Sequence, residues 1–342
     1  MKQKLLQHQA DIVEIVAAIK KEAKVFEGKT ILVTGSFGFV GQYITATFVE
    51  LNMSVLKKPC RVIGIDHRRK KTMLPIQDKH ISFQICDIVK PLSIPGEVDY
   101  IIHAASITPP SHLHHPLETM AIATQGTQNM LELARKKKSK SVLFFSTAEI
   151  YGNPEPRFVP TPETYGGSVS TLDPRAYYYE SKRLGETYCL AYHNLYRVPI
   201  KIVRPFNLYG PSARFDARRV LPRFLSTILK GKKLVIYGTG TQTRTYCYIT
   251  DAVIGFFKVL LYGASGEAYN IGSDQEVSLL DLIATMSDVV KKKPNIKKVP
   301  YPKESAIQDP KRRCPDIRKA KREVGFYPRI DLKTGITRLA FR

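Results

Sequence analysis

Apolar residues fall along this chain in two alternating patterns. Short, continuous, β-branched-rich runs occupy residues 30–33, 61–66, 81–85, 100–103, 142–146 and 200–203. Unbroken apolar runs of this length suit parallel strands covered on both faces. Between several of them lie stretches of helical period, at 41–51, 117–138 and 178–196. This alternation predicts right-handed βαβ crossovers and an α/β fold built on an open, doubly wound parallel sheet. Ahead of it, residues 1–28 read as an amphipathic helix with Leu5, Ile12, Ile15, Val16 and Ile19 on one face. Beyond Pro205 the elements shorten and Pro and Gly increase, as in a smaller lobe. The expected division is a helix at 1–28, a sheet domain at 29–205 and a C-terminal lobe at 206–342 that returns to the sheet near 245–262.

Composition narrows the class. The chain has 342 residues, 43% apolar and 24% charged, which excludes intrinsic disorder and permits a full core without staples. No run of about 18 apolar residues predicts a transmembrane helix, and the stretch 12–19 contains Glu14, unlike a signal peptide. Five cysteines without a C-x-x-C pair argue against a disulfide framework or zinc ribbon, so a cytoplasmic location is expected. The unusual quantity is charge: 53 Lys+Arg against 30 Asp+Glu give +23.

Candidate chemistry begins after the first strand. Thr34-Gly35-Ser36-Phe37-Gly38-Phe39-Val40-Gly41 opens a helix with glycines spaced G-x-x-G-x-x-G. Gly35 permits a tight turn, Gly38 lets a pyrophosphate approach, and Gly41 allows close packing. The helix N-terminus offers N–H groups to phosphate. Asp66, ending the second strand, suits the adenosine ribose hydroxyls, and Asp87, ending the third, suits the adenine amino group. The sheet is thus expected to be a Rossmann sheet holding NAD. Arg68 and Arg69 leave NADP open.

Tyr178 and Lys182 stand four apart on one helix face. A phenol with a pKa of about 10 is a poor base at neutral pH, and a neighbouring ammonium lowers that value. Tyr178 can then remove a hydroxyl proton while hydride leaves the same carbon. Upstream, strand 142–146 runs into Ser146-Thr147-Ala148-Glu149-Ile150-Tyr151-Gly152, placing a hydroxyl and a carboxylate where parallel sheets bind ligands.

Together these segments resemble the extended short-chain dehydrogenase/reductase family of nucleotide-sugar epimerases, dehydratases and decarboxylases. Further segments extend the resemblance over nearly the whole chain from residue 29: His103-Ala104-Ala105, Arg204-Pro205-Phe206-Asn207, Tyr237-Gly238-Thr239-Gly240, Asn270-Ile271-Gly272 and Arg313-x-Pro315-Asp316-Ile317. Within that family the Thr-x-Glu pair and the late arginine are most similar to the UDP-glucuronate decarboxylases. The resemblance implies Tyr178 as base, Lys182 as its modulator, Thr147 on the 4-hydroxyl, and Glu149 in ring positioning and in the protonation after decarboxylation. It implies Arg313 on the sugar carboxylate, Asn207, Arg244 and Tyr237 on the sugar nucleotide, and Phe37, Phe39, Val40, Ile88, Ala104, Ala105, Tyr178 and Lys182 with the glycines around NAD. It also implies a homodimer through the 117–138 and 178–196 helices. The chain departs from the pattern at Ala148, where the decarboxylases usually carry serine, at Ala123, usually asparagine, and at Phe37, usually small.

Other readings bear on the same residues. A 4,6-dehydratase would show an acid at position 148, and a 4-epimerase needs no carboxylate-binding arginine. A non-catalytic NAD-sensing or nucleic-acid-binding protein would use the basic runs. From Lys291 to Arg342 there are 17 Lys+Arg and 5 Asp+Glu, or +12 of the +23. These runs show no aromatic interleaving, so attraction of an anionic substrate accounts for them better than nucleic acid does. His112-x-His114-His115 lacks a neighbouring Cys or acid at ligand spacing and reads as a loop at the cofactor mouth, with no metal expected. His103 reads as a satisfied near-core imidazole, and Cys189 as packing.

Overall fold

The computed structural model describes residues 2–68, 78–211, 220–300 and 310–340, with side chains from residue 7. The Leu5 side chain and residues 69–71 of the first basic run, Arg69 included, lie outside the described residues. Six strands follow the predicted positions: β1 (Thr30–Thr34), β2 (Arg61–Asp66), β3 (Ile81–Ile85), β4 (Tyr100–His103), β5 (Ser141–Phe145) and β6 (Ile200–Pro205). A seventh, Ala268–Ile271, pairs with β6. From that edge the order is Ala268–Ile271, β6, β5, β4, β1, β2, β3, and every pairing is parallel. Order reverses between β1 and β4, the crevice where such sheets take ligands.

Strand residues alternate between two cores. Ile31 and Val33 enter one with α1 (Lys2–Ile19), α2 (Phe39–Ser54) and the helix Ile249–Tyr262, whereas Leu32 enters the other with residues 130–134 and Cys189. Burial on both faces explains why the inner strands read as apolar runs, whereas the edge strand β3, with Ser82 and Gln84, is only partly buried and departs from the expectation. The same packing accounts for Cys189, which is buried with a thiol pushed well above its ordinary value by that burial.

Two helices differ from expectation. The N-terminal helix stops at Ile19, and a 3₁₀ turn, Glu22–Phe26, follows. That tightening sets the Phe26 ring 5.2 Å from Phe48 and 5.0 Å from Tyr100, inside the core. The 117–138 helix is interrupted: α3 (Pro116–Ala121), a π turn (Ile122–Gly126), then α4 (Thr127–Lys137). The widened turn brings Gly126 against Ile88, where a Cβ would sit 2.9 Å from Ile88 Cδ1, and sets Thr127 beneath β4. Strand β5 ends at Phe145, which leaves Ser146 beyond the sheet at its ligand edge. Helix α5 runs from Ala176 to Tyr196.

The lobe is built from small sheets. The strand Thr243–Thr245 lies between Glu276–Ser278 and Arg312–Arg313, and Leu234–Tyr237 pairs with Ile296–Val299. Helix α1 lies across the other side of the molecule. Its Asp11 is fully buried, accepts from the Tyr43 and Tyr248 hydroxyls, and lies 3.4 Å from Arg338. Among the described residues no helix is long and apolar enough to cross a membrane.

Candidate active site

The β1–α2 loop is shaped by its glycines. Gly35 has φ +70°, and a Cβ there would lie 2.9 Å from the Ala105 backbone. At Gly38 a Cβ would lie 3.0 Å from Gly35 O, and at Gly41 only 2.1 Å. Gly41 therefore packs on the loop itself, beneath the first turn of α2. That turn, from Phe39 with Gly38 as its cap, has no side-chain cap hydrogen bond, so its leading N–H groups remain for an anion. Asp66 is buried at the tip of β2, where its Oδ2 accepts from Phe37 N–H at 3.1 Å and His67 Nδ1 lies 3.1 Å from Oδ1. The Phe37 ring stacks on Phe83 at 4.8 Å, which is where the larger residue finds room. Asp87 is exposed and accepts from Val89 N–H, while Ile88 is buried beneath Gly126. Ser36 Oγ is buried with no hydrogen-bond partner. An open helix N-terminus, glycines that keep the cradle clear and a buried carboxylate at the β2 tip fit an adenine dinucleotide.

Below the nicotinamide end of this crevice stands His103, held from both sides. Its Nδ1 is 2.7 Å from Thr34 Oγ1 and its Nε2 is 3.1 Å from Thr127 Oγ1. Thr127 already donates to Ala123 O, so it accepts from Nε2–H, and Thr34 donates to Nδ1. Burial, reinforced by the Lys182 charge, lowers the His103 pKa to about 3, so the ring is a neutral strut. This is the satisfied imidazole expected from sequence.

Tyr178 and Lys182 lie on the buried face of α5. Lys182 Nζ donates to Phe145 O at 2.6 Å, which fixes the ammonium at the C-terminal tip of β5. Burial lowers its pKa to about 8. Thr147 follows that tip, and its Oγ1 accepts from Glu149 N–H, capping the turn Ala148–Tyr151. Ala148 packs with Ile150, Tyr151 and Phe206 in a small apolar cluster.

Glu149 sits between two arginines. Arg313 donates from Nη1 to Oε1 at 2.5 Å and from Nη2 to Oε2 at 3.1 Å, and Arg175 Nη2 donates to Oε2 at 2.6 Å. Burial alone would raise this carboxyl, but the Arg313 and Arg175 guanidiniums outweigh it and hold the pKa at about 2. Arg313, expected to face a sugar carboxylate, is thus engaged with an internal one. Two guanidiniums thus face one carboxylate, and the Asp173 carboxylate alongside accepts from the Arg175 backbone N–H. Arg244 is the ladder neighbour of Arg313, and its Nη1 donates to Thr243 O. Asn207, at φ +36°, donates from Nδ2 to Thr245 O and so ties β6 to the same lobe strand. Tyr237 belongs to the other small sheet and is more exposed, at 38%.

Two residues in this site were missed in the sequence. Arg175 stands three before Tyr178 on the same helix approach, and only the fold brings it to Glu149. His112 was read with its neighbours as a loop group. In the structure His114 and His115 are exposed, whereas His112 is buried beside Tyr178, with ring centroids 5.9 Å apart.

Residues 31–272 match the NAD dependent epimerase/dehydratase family, and the chain belongs to it. Among individual relatives, it is 35% identical over 313 residues to UDP-glucuronic acid decarboxylase 1 of Danio rerio, covering 91% of this chain and 71% of that protein. It is 34% identical over 310 residues to UDP-glucuronic acid decarboxylase 5 of Arabidopsis thaliana, covering 90% and 86%. Among solved structures, UDP-glucuronic acid 4-epimerase from Bacillus cereus in complex with UDP-glucuronic acid and NAD superposes with a TM-score of 0.72. The two are 27% identical, and the match covers 91% of this chain and 98% of that one.

Proposed function

We propose that the protein is an NAD-dependent decarboxylase of a nucleotide-linked uronic acid, of the UDP-glucuronate to UDP-xylose type. The observation that carries this reading is the Glu149 cluster. Beside a Tyr/Lys pair stand two arginines sharing one carboxylate, an arrangement in which Arg313 can exchange Glu149 for the carboxylate of a substrate. Relatives named for this activity match nine-tenths of the chain.

This reading divides the labour among the residues described above. Gly35, Phe37, Gly38, Phe39, Val40, Gly41, Asp66, Asp87, Ile88, Ala104 and Ala105, with Tyr178 and Lys182, would hold the dinucleotide. Its nicotinamide would supply a reversible hydride acceptor for the sugar C4. Tyr178 takes the C4 hydroxyl proton, with Lys182 favouring the phenolate through its charge, and Thr147 orients that hydroxyl. The 4-keto group then stands β to the carboxylate, so the C5–carboxylate bond breaks, CO₂ leaves and its electrons pass to the enolate. Arg313 turns from Glu149 to hold the sugar carboxylate, and Arg175 keeps Glu149 in place. Once Arg313 has turned away, the Glu149 pKa rises, which suits it to assist reprotonation at C5. Asn207, Arg244 and Tyr237 bind the sugar nucleotide.

The same reading places the protein in the cytoplasm as a homodimer. The dimer would pair the apolar outer positions of α3 and α5, where Leu117, Leu184 and Leu195 are exposed. Incubation with UDP-glucuronate tests the reading. CO₂ and a UDP-pentose are expected; a product of unchanged mass makes the enzyme a 4-epimerase, and no reaction overturns the substrate assignment.

A further inference from the structure

We infer that His112 is a substrate-contacting residue whose imidazole hydrogen-bonds a hydroxyl of the bound sugar through one of its ring nitrogens. The inference rests on the proposed reading that Tyr178 faces a sugar nucleotide. It concerns which groups on that sugar are recognised.

The primary observation is a pair of orphaned atoms. His112 is 2% exposed, and both Nδ1 and Nε2 are buried without a hydrogen-bond partner. Buried polar atoms in folded proteins nearly always have partners, so two orphans in one ring call for an account. The contrast inside this protein is direct: His103, equally buried, has both nitrogens on threonine hydroxyls. A ring serving only as packing would be replaceable by an apolar one without this penalty.

Location supplies the second observation. His112 sits in the 3₁₀ turn Ser111–Leu113, beyond the C-terminal tip of β4. Its ring lies at 55° to that of Tyr178, and the Arg175, Glu149 and Asp173 charges bear on it. It therefore borders the place where the reacting carbon must sit if Tyr178 takes the proton.

The third observation fixes the ligand chemistry. Burial, then the Arg175 charge, depresses the imidazole below its ordinary pKa, against the opposing pull of Glu149 and Asp173. The ring is neutral at neutral pH, with one N–H donor and one acceptor lone pair. A carboxylate or phosphate has no proton to give the acceptor nitrogen, and an ammonium has no lone pair for the donor. A sugar hydroxyl can partner either nitrogen, whichever of the two faces it. Phosphate and carboxylate recognition is left to the helix N-terminus and the arginines.

The experiment is calorimetric titration of the enzyme loaded with NADH, which cannot accept the hydride and so blocks turnover, with UDP-glucuronate and, separately, with UDP, on wild type, H112F and H112Q, together with thermal unfolding of each ligand-free protein. Phenylalanine keeps the ring against Tyr178 and removes both orphans, so H112F is expected to melt higher than wild type. It should also bind UDP-glucuronate at least about tenfold more weakly, with UDP affinity unchanged. Glutamine restores one donor and one acceptor, so H112Q should recover most of the lost affinity. The inference is overturned if H112F binds UDP-glucuronate like wild type, if UDP and UDP-glucuronate weaken equally, if H112F melts lower while binding is intact, or if wild type shows no greater affinity for UDP-glucuronate than for UDP. Failure of the decarboxylase reading looks different: wild type binds UDP-glucuronate, the His112 variants behave as expected, and no CO₂ is released with NAD.

Discussion

Replacing Glu149 with glutamine keeps the side chain's volume and removes only the charge that Arg313 and Arg175 surround. In the folded protein the carboxyl is held at about 2 against an ordinary 4.5, a depression of about 2.5 units. At about 1.36 kcal/mol per unit this is roughly 3 kcal/mol favouring the ionised form. The Glu149 side chain is 18% exposed, so solvent screens little of it. A depressed carboxylate contributes fully above its unfolded pKa, and the contribution is lost as pH falls from about 4.5 toward 2. Glutamine imitates the protonated form, so at pH 7 E149Q should be about 3 kcal/mol less stable than wild type. The loss could exceed this slightly because two buried guanidiniums are left facing an amide. The two proteins should converge as the pH approaches 2. Urea unfolding at pH 7 and at several values below 4.5, followed by circular dichroism, measures both quantities. A gap below about 1 kcal/mol at pH 7, or one that does not narrow in acid, would refute the claim that the arginines dominate the energetics of Glu149.

Other perturbations probe separate parts of the molecule. Y178F should lower turnover about 10²- to 10⁴-fold while leaving UDP affinity, read by calorimetric titration, within about twofold. A Gly41→Ala methyl would lie 2.1 Å from the Gly35 carbonyl, a backbone atom that cannot swing away, so NAD binding and thermal stability should both fall. Gly166→Ala, with nothing within 4 Å, should change neither. D11A strips an acceptor from Tyr43, Tyr248 and Arg338 and should destabilise by about 3 kcal/mol in denaturant titration, without altering NAD affinity.

The Rossmann architecture was legible because its inner strands are buried on both faces, which leaves apolar runs in the sequence; the edge strand β3 is the exception. Glycine spacing was legible because backbone approach admits no other residue. The seventh strand was harder: Ala268–Ile271 is four residues long and follows a lobe that interrupts the sheet domain. The break in the 117–138 helix had no signal either, since a π turn keeps the apolar residues inward and alters only their phase. At the candidate site, local motifs pointed to Tyr178, Lys182, Thr147 and Glu149. Arg175 and His112 reach Glu149 and Tyr178 only through the fold, and neither type nor spacing distinguishes them in the sequence from surface residues. The Arg313–Glu149 contact spans 164 positions, so only the fold reveals that the expected clamp is already engaged.

The Asp11 contacts bear on how the chain comes to be folded as it is made. Asp11 and Arg338 are 327 positions apart, so their pairing closes a circuit of that length through the polypeptide. A ribosome releases α1 well before the arginine, and the sheet's outer strand at Ala268–Ile271 emerges after the other six. Until Arg338 has emerged, Asp11 lacks that partner. The docking of α1 in its final form therefore waits for a segment made more than three hundred residues later.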